Sequence, residues 1–132
     1  MQTKKASTRS PKVLSSADKK LAVGIDILER ARINIALRRH GQRFLKKIYT
    51  QRERKSFPEE KEIYFSIGFS MKETFWKTLP ENIQKKTYFN DIEILWDGDN
   101  LELFHSGKKV RNVHYSYAFN EKYVLTTVVR GI

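Results

Sequence analysis

The sequence predicts an α+β domain, and three features predict it. One short apolar run with a single carboxylate inside it opens the ordered part of the chain. Two long segments with helical apolar spacing follow. The last third alternates apolar and polar residues between turn signals, the pattern of a strand meander.

Residues 1–16 carry Lys4, Lys5, Arg9 and Lys12 among Ser, Thr and one Pro. Almost nothing apolar interrupts them, so they read as a mobile basic tail. The stretch is also Ser-rich and acid-poor, as organelle-targeting segments are, but it lacks a convincing amphipathic helix. Residues 17–132 read as one domain, an ordinary size for a single core.

Residues 21–27 form the apolar run, a buried strand interrupted by Asp26. A helix is expected over 29–49, with Ile33, Leu37, Phe44 and Ile48 as its core stripe. Beside that stripe Arg32, Arg39, Arg43 and Lys46 recur at helical spacing and share a face, which makes either a docking surface or an ordinary solvated face. Phe57-Pro58 breaks the chain. A second helix is expected over 59–79, its first turn suited by Pro58, Glu59 and Glu60 and its end set by Pro80. Phe65, Phe69, Lys72, Trp76 and Leu79 fall on one side of it, which draws Lys72 and Glu73 partly toward the core. Strands are then expected over 91–96 and 101–104, joined by the turn Asp97-Gly98-Asp99-Asn100. After a polar linker over 105–111 two more follow, over 112–117 and 122–129.

Composition narrows the chemistry. The formal net charge is +11, which calls for an anionic partner: nucleic acid, anionic lipid, nucleotide or acidic protein. There is no cysteine, so disulfides and thiolate metal sites are excluded. No apolar run approaches a membrane span, and a cytoplasmic protein is expected. P-loop, dinucleotide fingerprint, HExxH and serine-elbow motifs are all missing. His40, His105 and His114 lack zinc-ligand spacing. Two carboxylates in apolar surroundings remain, Asp26 and Glu73, and each needs a partner. If they meet, they form a hard, oxygen-rich site suited to Mg²⁺ with substrate phosphates. The alternative is that Asp26 pairs with an Arg and Glu73 with Lys77, its i+4 neighbour.

A family resemblance bears on that choice. Gly24-Ile25-Asp26-Ile27-Leu28-Glu29-Arg30-Ala31-Arg32-Ile33 resembles the opening G-I-D-I-x-E-x-x-R-I of the holo-acyl-carrier-protein synthases, the small 4′-phosphopantetheinyl transferases. His40-Gly41-Gln42-Arg43-Phe44 and Thr50-Gln51-Arg52-Glu53 are similar to the family's H-G-x-R-F and T-x-x-E. Phe69-Ser70-Met71-Lys72-Glu73-Thr74-Phe75-Trp76-Lys77 resembles F-A-x-K-E-A-x-x-K. Asp91-Ile92-Glu93-Ile94 and Val113-His114-Tyr115-Ser116 resemble D-I-E-[IV] and V-H-V-S. The matches run in order from about Ala22 to Val129.

The resemblance implies an antiparallel sheet packed with two main helices. It implies Mg²⁺-dependent transfer of phosphopantetheine from coenzyme A to a serine of an acyl carrier protein, with release of 3′,5′-ADP. Asp26 and Glu73 would be the metal ligands, and Glu73 would help deprotonate the serine. Lys77 would stabilise the departing phosphate. Lys72, Lys77, His114 and Ser116 would contact coenzyme A. Arg32, Arg39 and Arg43 would dock the acidic carrier, of fatty-acid or polyketide/peptide type. The small members are homotrimers with active sites between subunits.

Three departures stand out. Ala118 and Phe119 occupy the positions of a Ser/Thr-His pair that in relatives helps hold the 3′-phosphate, and neither can supply its hydrogen bonds or charge. Leu79-Pro80-Glu81-Asn82 replaces a Gly-rich turn, and Gly98-Asp99-Asn100-Leu101 replaces an N-G-K-P hairpin. A catalytically silent member that still binds carrier protein or forms a trimer is therefore the second reading. A nucleic-acid-binding module is the third, motivated by charge, although the aromatic residues fit core stripes better than stacking platforms.

Overall fold

The computed structural model describes the backbone of residues 2–4 and all of residues 20–132. The basic tail read over 1–16 lies outside the described residues, except that Gln2–Lys4 form strand β1. Strand β2 (Lys20–Glu29) leads into helix α1 (Arg30–His40), then α2 (Gln42–Ile48) and α3 (Gln51–Ser56). The long helix α4 (Glu62–Lys77) and the single turn α5 (Glu81–Gln84) follow. A 3₁₀ turn (Phe89–Asp91) opens the strands β3 (Ile92–Asp97), β4 (Asn100–His105), β5 (Lys108–Lys109), β6 (Val113–Phe119) and β7 (Tyr123–Gly131).

The strands make two antiparallel sheets, in the orders β1-β2-β7-β6 and β3-β4-β5. The meander is thus divided, and its last two strands join the first strand of the domain. Helix α4 packs on β2, β7 and β3, so it touches both sheets. Its buried face, with Phe65, Ile67, Met71 and Phe75, closes the core against Leu28, Ile94, Leu103, Val124 and Val128. Burial of side chains of this size is the main source of stability, about 1.5–3 kcal/mol each.

The sheet containing β2 has two unlike faces. Ala22, Gly24 and Leu28 on β2 and Val124, Thr126 and Val128 on β7 point inward and are buried. Ile25, Ile27 and Leu125 point outward and are exposed. No described helix is long and apolar enough to cross a membrane.

Several expected boundaries move. The helix expected over 29–49 is two helices, because Gly41 adopts φ 50° and ψ −122°, a conformation that breaks the helix and that glycine reaches without a Cβ clash. The cationic row is therefore divided: Arg32 and Arg39 lie on α1, Arg43 and Lys46 on α2, all exposed. The second helix begins at Glu62 and not at 59. The intervening chain holds α3, started by a capping box in which Thr50 Oγ1 accepts from Glu53 N and Glu53 Oε1 accepts from Thr50 N. Ile33 and Ile48 are buried as expected, while Leu37 and Phe44 are only partly so. Trp76 sits 38% exposed at the α4–α5 junction and not in the core, its indole N–H donating to the Gln84 carbonyl. The polar linker over 105–111 contains β5, paired with the end of β4.

Candidate active site

Asp26 faces inward from β2 because its register partner Thr126 does, and strand alternation sends Ile25 and Ile27 the other way. Its carboxylate is held at both oxygens. Ser70 Oγ on α4 donates to Oδ2 at 2.8 Å, and Lys77 Nζ donates to Oδ1 at 3.4 Å. The ammonium of Lys77 also reaches the Ile25 carbonyl at 3.2 Å. Among the described residues, β2 beyond Ala22 carries a partner strand on one edge only, so Asp26 stands beside an open edge of the sheet.

Glu73 and Lys77 lie one turn apart on α4; Lys77 reaches Asp26, and the charge of Asp26 is felt at Glu73. Burial pushes the Glu73 carboxyl up from its ordinary range, and the charge of Asp26 adds to the effect. Lys77 and Arg32 oppose it. A raised carboxyl beside a second carboxylate is relieved by any cation that binds both. Among the described residues no group of three or more His, Cys, Asp or Glu converges. If Asp26 and Glu73 both bind, they supply two hard oxygen ligands, and the remaining positions of a six-coordinate ion would fall to water and substrate oxygens. That donor set fits Mg²⁺, which keeps waters and binds through one or two carboxylates plus phosphates.

Glu73 and Lys77 also line a cavity of about 380 Å³. Glu73, Trp76, Lys77, Tyr88, Phe89 and Ile92 are among its lining residues. Its wall is mainly apolar and includes the charged residues Lys72, Glu73 and Lys77, a lining suited to an organic chain that ends in phosphate.

Lys72 lines this cavity as well. It is fully buried, and its three N–H groups go to Glu53 Oε1 at 2.6 Å, the Ile48 carbonyl at 2.6 Å and the Phe89 carbonyl at 3.0 Å. An ammonium has three donors, so none is left for a phosphate. Glu53, also fully buried, accepts in addition from Thr50 N and Ile94 N. Burial pushes Lys72 down and Glu53 up, and the attraction between them opposes both shifts. Lys72 ties α4 to α2, α3 and the turn before β3, a structural role.

His114 and Ser116 lie on β6, exposed on the outer face of the sheet, with Ser116 Oγ 2.7 Å from Thr127 Oγ1. They stand on the opposite face from Asp26 and two strands away, so a single chain does not bring them to Glu73. Ala118 shares that outer face. Phe119 turns inward, stacked with Tyr117 and lying under the Arg30 guanidinium. Arg32, Arg39 and Arg43 are exposed, and Arg32 is near enough to Glu73 to lower its carboxyl.

Three buried hydroxyls behind Asp26 escape motif reading: Ser70, Thr74 and Thr126. Ser70 and Thr74 fall on one face of α4 at i and i+4, where the resembled signature has two alanines. Hydroxyls on a buried helix face need partners, and that is the signal that could have found them.

The family model of the 4′-phosphopantetheinyl transferase superfamily matches residues 22–128. Relatives include the holo-[acyl-carrier-protein] synthase of Geobacillus kaustophilus, 32% identical over 113 residues, covering 83% of this chain and 87% of that one. The synthase of Geobacillus sp. is 28% identical over 113 residues, 83% of this chain and 94% of that one. Among solved structures, the Bacillus anthracis holo-(acyl-carrier-protein) synthase in complex with CoA (3′,5′-ADP) superposes with a TM-score of 0.66 at 28% identity, covering 83% of this chain and 95% of that one. The Helicobacter pylori synthase in complex with coenzyme A gives 0.69 at 24% identity, covering 83% and 99%, and shows the shared fold. With the two-sheet architecture, these matches show that the chain belongs to the 4′-phosphopantetheinyl transferase superfamily, as a phosphopantetheinyl transferase of the holo-acyl-carrier-protein synthase type.

Proposed function

We propose that this chain transfers the 4′-phosphopantetheine arm of coenzyme A to a serine of an apo acyl carrier protein, with Mg²⁺, releasing 3′,5′-ADP. The observation that carries the reading is that Glu73 and Lys77 line a mainly apolar cavity while Lys77 also pairs with Asp26, whose charge is felt at Glu73. Asp26 and Glu73 would hold the metal, which when bound neutralises charge on the pyrophosphate. The cavity would take the pantetheine arm. Glu73 accepts the proton of the serine hydroxyl, directly or through a water. The serine oxygen bonds to the β-phosphorus as the bond to the bridging oxygen breaks, and the electron pair leaves with 3′,5′-ADP. Lys77 donates to that departing phosphate. Positioning and charge neutralisation carry the rate, and no covalent enzyme intermediate is needed.

Two surfaces extend the reading. The exposed cations Arg32, Arg39 and Arg43 suit an acidic carrier, whose encounter they would speed at low salt. The outward apolar face with Ile25, Ile27 and Leu125 suits burial between copies in a homotrimer. Such an assembly would bring one copy's His114 and Ser116 toward another's Asp26 and Glu73.

The test is conversion of an apo carrier by the purified protein with coenzyme A and Mg²⁺, read as the mass gain of one phosphopantetheine. Asp26→Asn and Glu73→Gln should each lower the rate by a factor of about 10² or more, the usual scale for general-base loss. Failure of the mass gain with several acidic carriers would leave the second reading, a silent member that binds carrier without processing it.

A further inference from the structure

We infer that Ser70, Thr126 and Thr74 form a one-way hydroxyl relay that fixes the Asp26 carboxylate for metal binding, with Ser70 as the positioning residue. The inference rests on the proposed metal role of Asp26. Ser70 Oγ lies 2.8 Å from Asp26 Oδ2 and 2.7 Å from Thr126 Oγ1, and Thr126 Oγ1 lies 2.6 Å from Thr74 Oγ1. All three hydroxyl residues are fully buried.

Proton counting sets the direction. An ionised carboxylate only accepts, and each hydroxyl has one proton to give. Ser70 gives its proton to Asp26, so Thr126 must donate to Ser70, and Thr74 to Thr126. The chain of donors therefore ends on one oxygen of one carboxylate, and each bond polarises the next. Oδ2 is held by the relay while Oδ1 faces Lys77. A bound cation would meet a carboxylate already turned, instead of one free to rotate. Partners of this kind behind a metal-binding side chain change metal affinity by about 10–100-fold when removed.

The two α4 positions stand where the resembled signature carries alanine, which can give no hydrogen bond. The β7 member sits directly across from Asp26 in the strand register, so the sheet itself delivers it.

Binding of Mn²⁺ to the full-length protein with coenzyme A, followed by electron paramagnetic resonance without any carrier protein, tests the relay. Ser70→Ala and Thr126→Val should each weaken Mn²⁺ binding by about tenfold, with the thermal midpoint of the metal-free protein within a few degrees of wild type. Thr126→Ser, which keeps the hydroxyl, should restore wild-type affinity. Wild-type affinity in both Ser70→Ala and Thr126→Val, with Asp26→Asn abolishing binding, would overturn the relay and leave the metal site standing. No Mn²⁺ binding by the wild-type protein would overturn the metal site and the relay together.

Discussion

Lys72 and Glu73 are sequence neighbours that α4 sends in opposite directions. One step along a helix is a turn of about 100°, enough to bury Lys72 against Glu53 while Glu73 stays partly exposed and feels the charge of Asp26. Removing half of a buried ion pair leaves an uncompensated charge. Lys72→Met should therefore cost about 3–5 kcal/mol, measured by denaturant unfolding. His105 supplies the pH dependence. Its imidazole is pushed below the free value by burial, only partly offset by Asp91. The unfolded chain then binds the proton more readily than the folded one. Stability is complete above about pH 6.5, the free value, and falls as pH drops through the folded value. Unfolding at a series of pH values should show this slope, and His105→Asn should flatten it. At this scale Asp26 was readable, because a carboxylate within an apolar strand must have a reason. The role of Lys72 was not: spacing drew it toward the core, but its partner Glu53 lies nineteen residues away and no local pattern names that partner.

The element that sets the site is the seam between β2 and α4. Gly24 makes the seam close: a Cβ there would run into the Thr74 carbonyl of α4. Gly24→Ala should force β2 outward, at a cost of about 1–3 kcal/mol by overpacking, and carry Asp26 away from Glu73. Circular dichroism melts and Mn²⁺ binding should both worsen, whereas a β2 held elsewhere would leave metal binding intact. The same seam shows how far local pattern reaches. The long helix and the first strand were visible from periodicity. The break at Gly41 was not, since Gly also occurs within helices and only its φ of 50° marks the stop. The start of α3 is signalled by Thr50 and Glu53 at capping-box spacing, the same two residues that carry the T-x-x-E resemblance.

On the scale of the whole molecule, the division of the strands into two sheets decides where function can sit. Strand pairing is non-local, and turn residues between β4 and β6 do not say that β6 pairs with β7 in the first sheet. That pairing places His114 and Ser116 on the outward face and Asp26 on the inward one. A complete site built from both faces then requires more than one copy. Ile27→Glu, on the exposed outer face, should convert an assembly of three chains to single chains in light scattering and abolish transfer. A monomeric wild-type protein with full activity would remove the trimer from the mechanism. The assignment of Asp26 and Glu73 as the pair that grips the ion against the coenzyme A pyrophosphate is tested most directly by anomalous diffraction from crystals grown with Mn²⁺ and coenzyme A. One peak within coordinating distance of both carboxylates and of the pyrophosphate is expected. Coenzyme A bound with no peak between those two side chains, or a peak on other carboxylates, would contradict it.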